Sequence, residues 1–518
     1  MNPLRFIFAL CCWWGAAFAA PALPNIVLIL ADDLGYGDVQ CYNPQRGKIL
    51  TPNIDKFAAE GMRFTDAHSS SGVCSPTRYT LLTGRYHWRT RLQQGIVPVW
   101  GAPLISPDRL TLAGLAKQHG YRTACIGKWH LGHDWPITAE QRPFFSNPVG
   151  KLVNEVTDAH RAAWKEVFSK PIPGGPTSRG FDEYFGTDVP NWPPYCFIEN
   201  DRTVGIPTEL LPASQLVKNQ ASLQGPALKD WQLETILPAL AHRAEDFIAR
   251  QTKAKQLFLL YLPLTSPHTP IAVNKEWRGK SGLGHDYADF VMETDAVIGR
   301  VLEALKTSGA ADNTFVLFTS DNGCASYIGV KELEAKGHFP SGPLRDYKTS
   351  AHEGGHRVPF IIRWPGVVKP GARCDQLVHQ ADMMATLADM LGAQLPDNAG
   401  EDSFSLMPLL RGGEKPVREY SVSCASTGVP GLRQGPWKFI PTPAPQLYNL
   451  DTDLSETKNI AIEKPELVLE LRASLEKFII AGRTTSGAAQ KNDVPVRRFP
   501  QSDSATPAPV KAKNKGKK

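Results

Sequence analysis

Acidic and amide side chains stand together at two places where an apolar run stops: Asp32 and Asp33 in "LADDLGYGD", and Asp321 and Asn322 in "TSDNG". Three carboxylates and an amide are oxygen ligands of the kind a hard cation takes. With no sulfur or paired histidines in either motif, calcium or magnesium is favoured over zinc. Either motif alone is also what a helix cap or a turn former looks like; the same placement in two strands points to a metal. Arg78, Lys128, His130, His268 and Lys348 supply positive groups without matching carboxylates in their own motifs, which suits a substrate carrying a compact oxyanion. Lys128 and His130 alternate across "GKWHLG", so a strand-like segment would aim both side chains the same way. His268 lies in "SPHTP", where flanking prolines make a rigid turn. Of the thirteen histidines, His87, His119, His160 and His242 read as surface or hydrogen-bonding groups.

Cys74 stands in "SSSGVCSPTRYTLLTGRY". As a bare residue type it is a small apolar group for a core. Pro76, however, fits the first turn of a helix that runs to Gly84, which leaves Cys74 at the cap, and a helix N-terminus attracts anions. A thiolate nucleophile is one option. No Cys-His-Asn setting accompanies it, and an unprotected thiol outside the cell is vulnerable to oxidation, so a chemically converted cysteine is the other.

Four apolar runs must position these groups: "NIVLILADD", "YRTACIGKWHLG", "QLFLLYLPLTSPHTP" and "TFVLFTSDNG", each followed at once by the polar residues above. They read as buried strands. Helix-like segments lie between them, including "TPNIDKFAAEGMRF", capped by Thr51 and opened by Pro52, and "YADFVMETDAVIGRVLEALKTSG", ending near Gly309. The alternation predicts an α/β fold with a large, mostly parallel sheet sandwiched by helices, and ligands of such sheets bind outside the carboxyl ends of the strands. After residue 411 the short runs "YSVSCAS", "GPWKFIP" and "QLYNL" and the helical "PELVLELRASLEKFIIAGR" predict a smaller α+β domain.

The first residues combine Arg5, an apolar run from Phe6 to Phe18 and small residues at Ala17 and Ala19, which reads as a cleaved secretory signal over residues 1–19. The expected organisation is therefore a signal peptide at 1–19, a catalytic domain at 20–411, the smaller domain at 412–485 and a basic disordered tail at 486–518. No other stretch is long and apolar enough to span a bilayer, so the protein is expected to be exported, periplasmic or secreted, with no membrane span. Seven cysteines lie beyond the signal; setting Cys74 aside leaves six that could form disulfides. The formal charge of +6 comes from the tail: from Thr484 onward eight basic residues face two acidic ones, and the rest of the chain balances. That pattern is no signature of nucleic-acid binding.

"CSPTRYTLLTGR" resembles the signature of the type I, formylglycine-dependent sulfatases, members of the alkaline-phosphatase-like superfamily. Thr77 stands where serine is commoner, and the C-x-P-x-R core is intact. The motifs "PNIVLILADDLGYGDV", "TPNIDKFAAEGMRF", "GKWHLG", "SPHTP", "TSDNG", "KTSAHEGGHRVPFIIRWPG", "DSFSLMPLLRG" and "LYNLDTDLSETKNIA" resemble further landmarks of that family, in its order.

The resemblance implies that Cys74 is oxidised to formylglycine (3-oxoalanine) by a sulfatase-maturing enzyme and attacks as a geminal diol. It implies one calcium ion held by Asp32, Asp33, Asp321 and Asn322, with residue 74 next to it among its ligands. Arg78 would orient the diol, and Lys128 would contact nucleophile and sulfate. His130 would take a proton when the sulfated intermediate collapses, and His268 and Lys348 would bind sulfate and assist the departing oxygen. The substrate would be the sulfate ester of a carbohydrate or an aryl alcohol. A phosphodiesterase or phosphonate monoester hydrolase of the same fold is the nearest alternative, and a catalytically silent binding homologue another. Trp192, Tyr195, His338 and Arg345, in long loop-like segments, are candidates for gripping a sugar, with packing the slightly favoured role for each.

Overall fold

The run Asn25–Ala31 forms a strand buried along its whole length. Val27, Ile29 and Ala31 enter one hydrophobic core and Ile26, Leu28 and Leu30 another, as the two-residue period of a strand requires when both faces of its sheet are covered. The structure is a computed structural model that describes residues 23–146, 156–216 and 221–499; the expected signal at 1–19 and the end of the expected tail lie outside the described residues.

Ten strands form the main sheet. Four neighbours at its centre are Thr314–Ser320, Asn25–Ala31, Phe258–Pro263 and Arg122–Ile126, all mutually parallel, and these are the four strands expected from the sequence. Phe360–Arg363 pairs antiparallel with Thr314–Ser320, so the sheet is mixed. Helices Ile236–Lys253, Asp286–Thr307 and Pro52–Glu60 cover one face. Cys74–Thr83, Leu112–Gln118 and Met383–Leu391 cover the other.

Strands Tyr420–Cys424, Pro430–Gln434, Trp437–Ile440 and Gln446–Asn449 form an antiparallel sheet in sequence order. The helix Pro465–Ala481 packs on it through Leu471, Leu475 and Phe478. Pro430–Gln434 is the strand that the sequence does not announce, because Pro430 and Gly431 oppose strand propensity; pairing on both edges overrides that. A buried charge network joins this sheet to the large one. Lys438 Nζ donates to Glu353 Oε1 at 2.8 Å and lies 2.9 Å from His356 Nε2, while Arg433 and Arg357 reach Asp66.

Residues 486–499 depart from the expected solvated tail. Asp493 pairs with buried Arg85 at 3.0 Å, Asn492 accepts from Arg89 NH1 at 3.2 Å, and Arg497 N donates to Gln93 Oε1 at 2.7 Å. Buried guanidinium groups must be paired; Glu401 and Asp402 pair these two, and the returning chain supplies further acceptors. The six cysteines other than Cys74 are free, so the disulfides they could have formed are absent among the described residues. No helix there is long and apolar enough to cross a membrane.

Candidate active site

Parallel register brings the two acidic motifs together. Ala31 lies opposite Ser320, so Asp32 and Asp321 leave neighbouring strands side by side. Asp33 turns left-handed, at φ 64°, a conformation that Asp tolerates better than most residues. Its amide donates to Asp321 Oδ1 at 3.0 Å, and Asn322 Nδ2 donates to its Oδ1 at 2.7 Å. The neighbouring strand contributes through its following loop: Asp32 N donates to Ser266 O at 3.0 Å, two residues before His268.

The helix Cys74–Thr83 is buried throughout, with Val73 at the cap and Cys74 its first helical residue, one position further in than expected. Thr77, the departure from the common signature, donates to Ser71 O and Val73 O, the role of a residue that braces the first turn. Arg78, one turn on, donates to Asp321 Oδ2 at 2.8 Å and to Lys128 O at 3.0 Å. Lys128 Nζ donates to Asp32 Oδ2 at 2.7 Å and Lys348 Nζ to Asp33 Oδ2 at 2.6 Å. His268 Nδ1 bonds to Thr269 O, leaving Nε2 3.6 Å from Asp33 Oδ2. Ligand atoms of Asp32, Asp33, Cys74 and His268 lie within 4.8 Å of one another.

This donor set fits a hard cation. Asp32 Oδ1 and Asn322 Oδ1 are buried oxygens without a hydrogen-bond partner, an expensive state for an oxygen that has nothing to do. Burial and the charge of Asp32 push the Asp321 carboxyl up to about 7, against Arg78, as expected of acids crowded without enough positive charge. Burial also raises Asp32, yet Lys128, His268, Arg78 and Lys348 together hold it well below the usual carboxylate range. Burial opposes the charge on Lys348, which Asp33 and then Cys74 outweigh, so that its ammonium is held well above the ordinary range.

Lys128 and His130 do not share a strand. The strand ends at Ile126, and Gly127 follows at φ 138°, where a Cβ would stand 1.8 Å from Pro263 O; this close approach lets Lys128 N donate to that carbonyl at 2.7 Å. His130 is itself left-handed at φ 53°. Its Nε2 lies 3.1 Å from Val97 O, which assigns the proton to Nε2 and leaves Nδ1 a buried acceptor without a partner. Burial, Lys128 and Arg78 keep the ring neutral by lowering it well below the usual histidine value.

All ten site residues read from the sequence therefore converge at one end of the central strands. The sugar-binding candidates divide. His338 is buried with Nε2 2.8 Å from Asp38 Oδ1, and Tyr195 is buried with its hydroxyl on Asn191 O and Leu223 O; both are packing residues. Arg345 braces the smaller sheet through Tyr448 and Glu456 O. Trp192 stays half-buried with its ring edge-on to His130 at 5.4 Å. Asp188, which sequence reasoning passed over, accepts from His130 N through Oδ1 at 3.2 Å. Its signal was position, at the end of Glu183–Gly186 on the same sheet edge. Tyr327 was passed over as well.

The mixed sheet, the acidic strand ends and the cationic side chains gathered on them are the arrangement of the alkaline-phosphatase-like fold. The family model described as Sulfatase matches residues 24–393, and the one described as N-sulphoglucosamine sulphohydrolase, C-terminal, matches residues 346–481. An N-acetylgalactosamine-6-O-sulfatase of Bacteroides thetaiotaomicron is 33% identical over 506 residues, covering 88% of this chain and 92% of that protein. Human arylsulfatase A is 33% identical over 405 residues, 78% of this chain and 71% of its own. A solved structure from work on the metabolism of multiple glycosaminoglycans by Bacteroides thetaiotaomicron superposes with a TM-score of 0.75 at 31% identity, covering 88% of this chain and 98% of that one. The chain belongs to the sulfatase family and is a sulfuric ester hydrolase.

Proposed function

We propose that this protein is an exported, calcium-dependent sulfatase that removes a sulfate monoester from a carbohydrate, with residue 74 converted to formylglycine by a maturing enzyme. The observation that carries the reading is the position of Cys74, first in a buried helix and with its sulfur among Asp32, Asp33 and His268, in a chain of the sulfatase family. Relatives named as N-acetylgalactosamine-6-sulfatases make the 6-sulfate of that sugar the first substrate to test.

Asp32, Asp33, Asp321 and Asn322 would hold the ion, which supplies Lewis-acid polarisation of a sulfate oxygen. Arg78, Lys128 and Lys348 neutralise the charge that spreads over the sulfate oxygens as sulfur is attacked. One hydroxyl of the hydrated residue 74 gives its proton to an adjacent carboxylate of the acidic cluster and bonds to sulfur while the bond from sulfur to the sugar oxygen breaks, and His268, carrying a proton on each ring nitrogen, donates from Nε2 to that leaving oxygen. His130 Nδ1, an acceptor without a partner, then takes the proton of the second hydroxyl; the carbon–oxygen bond to sulfate breaks, sulfate leaves and the aldehyde returns. A plain serine ester would need a second attack at sulfur or carbon, which the second hydroxyl avoids.

Two measurements on the active, exported protein test this. Mass spectrometry of the peptide spanning residues 64–78 should show the mass of an aldehyde in place of the thiol at residue 74, and rates on matched sulfate and phosphate esters should favour sulfate. Full activity with unmodified cysteine, or faster phosphate hydrolysis, would reject it.

A further inference from the structure

Among the described residues one aromatic side chain is left broadly exposed, Tyr327 at 44%. Single exposed apolar groups are ordinary on a protein surface, but this one stands at the site. It occupies the short turn Ser326–Ile328, three residues beyond Cys324 and directly after the strand end that bears Asp321 and Asn322. Cys324 O accepts from Lys348 N at 2.9 Å, so the turn is tied to the segment whose lysine reaches Asp33. Burial raises the hydroxyl above a free phenol's range, with Lys348 pulling the other way and Asp33 and Cys74 also acting on it. The hydroxyl thus feels the charges of the reacting centre, while the residue as a whole stays 44% open to solvent beside it.

We propose that Tyr327 is a substrate-positioning residue whose ring lies against the apolar C–H face of the pyranose bearing the scissile sulfate. A ring with two side-chain torsions gives a large, stiff contact surface with little order to lose, and its tether at the Lys348 segment sets the sugar at a fixed height above the sulfate subsite. Trp192, against His130, is half-buried and has its indole N–H committed to Ala221 O at 2.9 Å; Tyr327 is the more exposed of the two. This inference rests on the sulfatase reading.

The test compares wild type, Tyr327→Leu and Tyr327→Phe on N-acetylgalactosamine 6-sulfate and other sulfated monosaccharides, with inorganic sulfate as competitive inhibitor and thermal midpoints as the folding control. Tyr327→Leu should raise KM for the sugar sulfate about 10-fold with kcat changed by less than about 2-fold. Its inhibition constant for sulfate and its thermal midpoint should stay at the wild-type values, and Tyr327→Phe should keep the wild-type KM. An unchanged KM in Tyr327→Leu, an equal loss in sulfate affinity, or a loss in Tyr327→Phe as large as in Tyr327→Leu would overturn the proposal. A wild type that cleaves 4-nitrophenyl sulfate but no sulfated sugar overturns it while leaving the sulfatase reading intact; a wild type that cleaves neither takes both down.

Discussion

Arg78 NH2 donates to Asp321 Oδ2 at 2.8 Å, an ion pair wholly out of solvent that locks the helix beginning at Cys74 to the strand end bearing the acidic pair. Its other amino group holds Lys128 O. Arg78→Ala should cost about 3–5 kcal/mol, the range for stranding one partner of a buried pair, and abolish measurable turnover. Arg78→Lys keeps the charge but cannot span both acceptors, and should recover stability more than activity. Denaturant melts alongside kcat/KM measure the two effects; an Arg78→Ala protein as stable and active as wild type would contradict the assignment.

Calcium should bind the native state through buried oxygens that lack a hydrogen-bond partner, Asp32 Oδ1 and Asn322 Oδ1. Binding to the folded form alone raises stability with ion concentration. Chelation is expected to lower the thermal midpoint and the activity together, calcium to restore both, and Asp321→Ala to lose bound metal. Stoichiometric zinc, or full activity after thorough chelation, would exclude this site.

His268, with Nδ1 engaged by Thr269 O, has Nε2 left for a leaving oxygen. A sugar alkoxide needs a proton to depart, whereas nitrophenolate does not. His268→Ala should therefore reduce turnover of a sugar sulfate by an extra factor on the order of 10 to 1000 relative to nitrophenyl sulfate, the range of general acid catalysis. Equal losses would confine His268 to anion binding and assign the acid role to Lys348.

Truncation separates two parts of the C-terminal segment. A chain ending after Phe499 should retain its stability and its turnover of small substrates. A chain ending after Gln490 removes the acceptors that Lys491 O, Asn492 and Asp493 offer to Arg85 and Arg89, and each buried donor left unpaired costs about 1–3 kcal/mol. Thermal melts of the two truncations decide it, and equal midpoints would show that the contacts carry no stability.

His87, read from the sequence as a surface or hydrogen-bonding group, is buried with Nδ1 3.2 Å from Ser70 Oγ. Burial pushes its pKa down to about 3, below the value near 6.5 of an unfolded chain. The unfolded state therefore binds the proton first on acidification: the stability that goes with the neutral ring is fully present above about pH 6.5 and is lost as pH falls toward 3. Between pH 6.5 and 5 this group alone removes about 2 kcal/mol. His87→Gln should lose less stability than wild type between pH 7.5 and 5 in urea titrations; parallel losses would refute the assignment.

Local sequence determined the central strands, the flanking helices and the polar residues at the strand ends. Apolar runs and helical periods are properties of neighbouring residues, and parallel strands necessarily present their carboxyl ends together. That geometry is why Asp32 and Asp321, far apart in the chain, were readable as one site. Which polar groups gather at the candidate site and which merely fill the interior was decided by docking of distant segments. For His338 and Tyr195 the sequence left a sugar contact open with packing slightly favoured; Asp38 encloses the first, and Asn191 O and Leu223 O take the hydroxyl of the second. Lys128 and His130 lost their shared strand to a glycine forced by the carbonyl of Pro263. Residues 486–499 have the composition of a solvated tail, yet the returning chain adds acceptors to buried Arg85 and Arg89 beyond those of Glu401 and Asp402. Exposure of Tyr327 is likewise a property of the assembled surface: no sequence pattern distinguishes a tyrosine left exposed after a strand end from one packed beneath it.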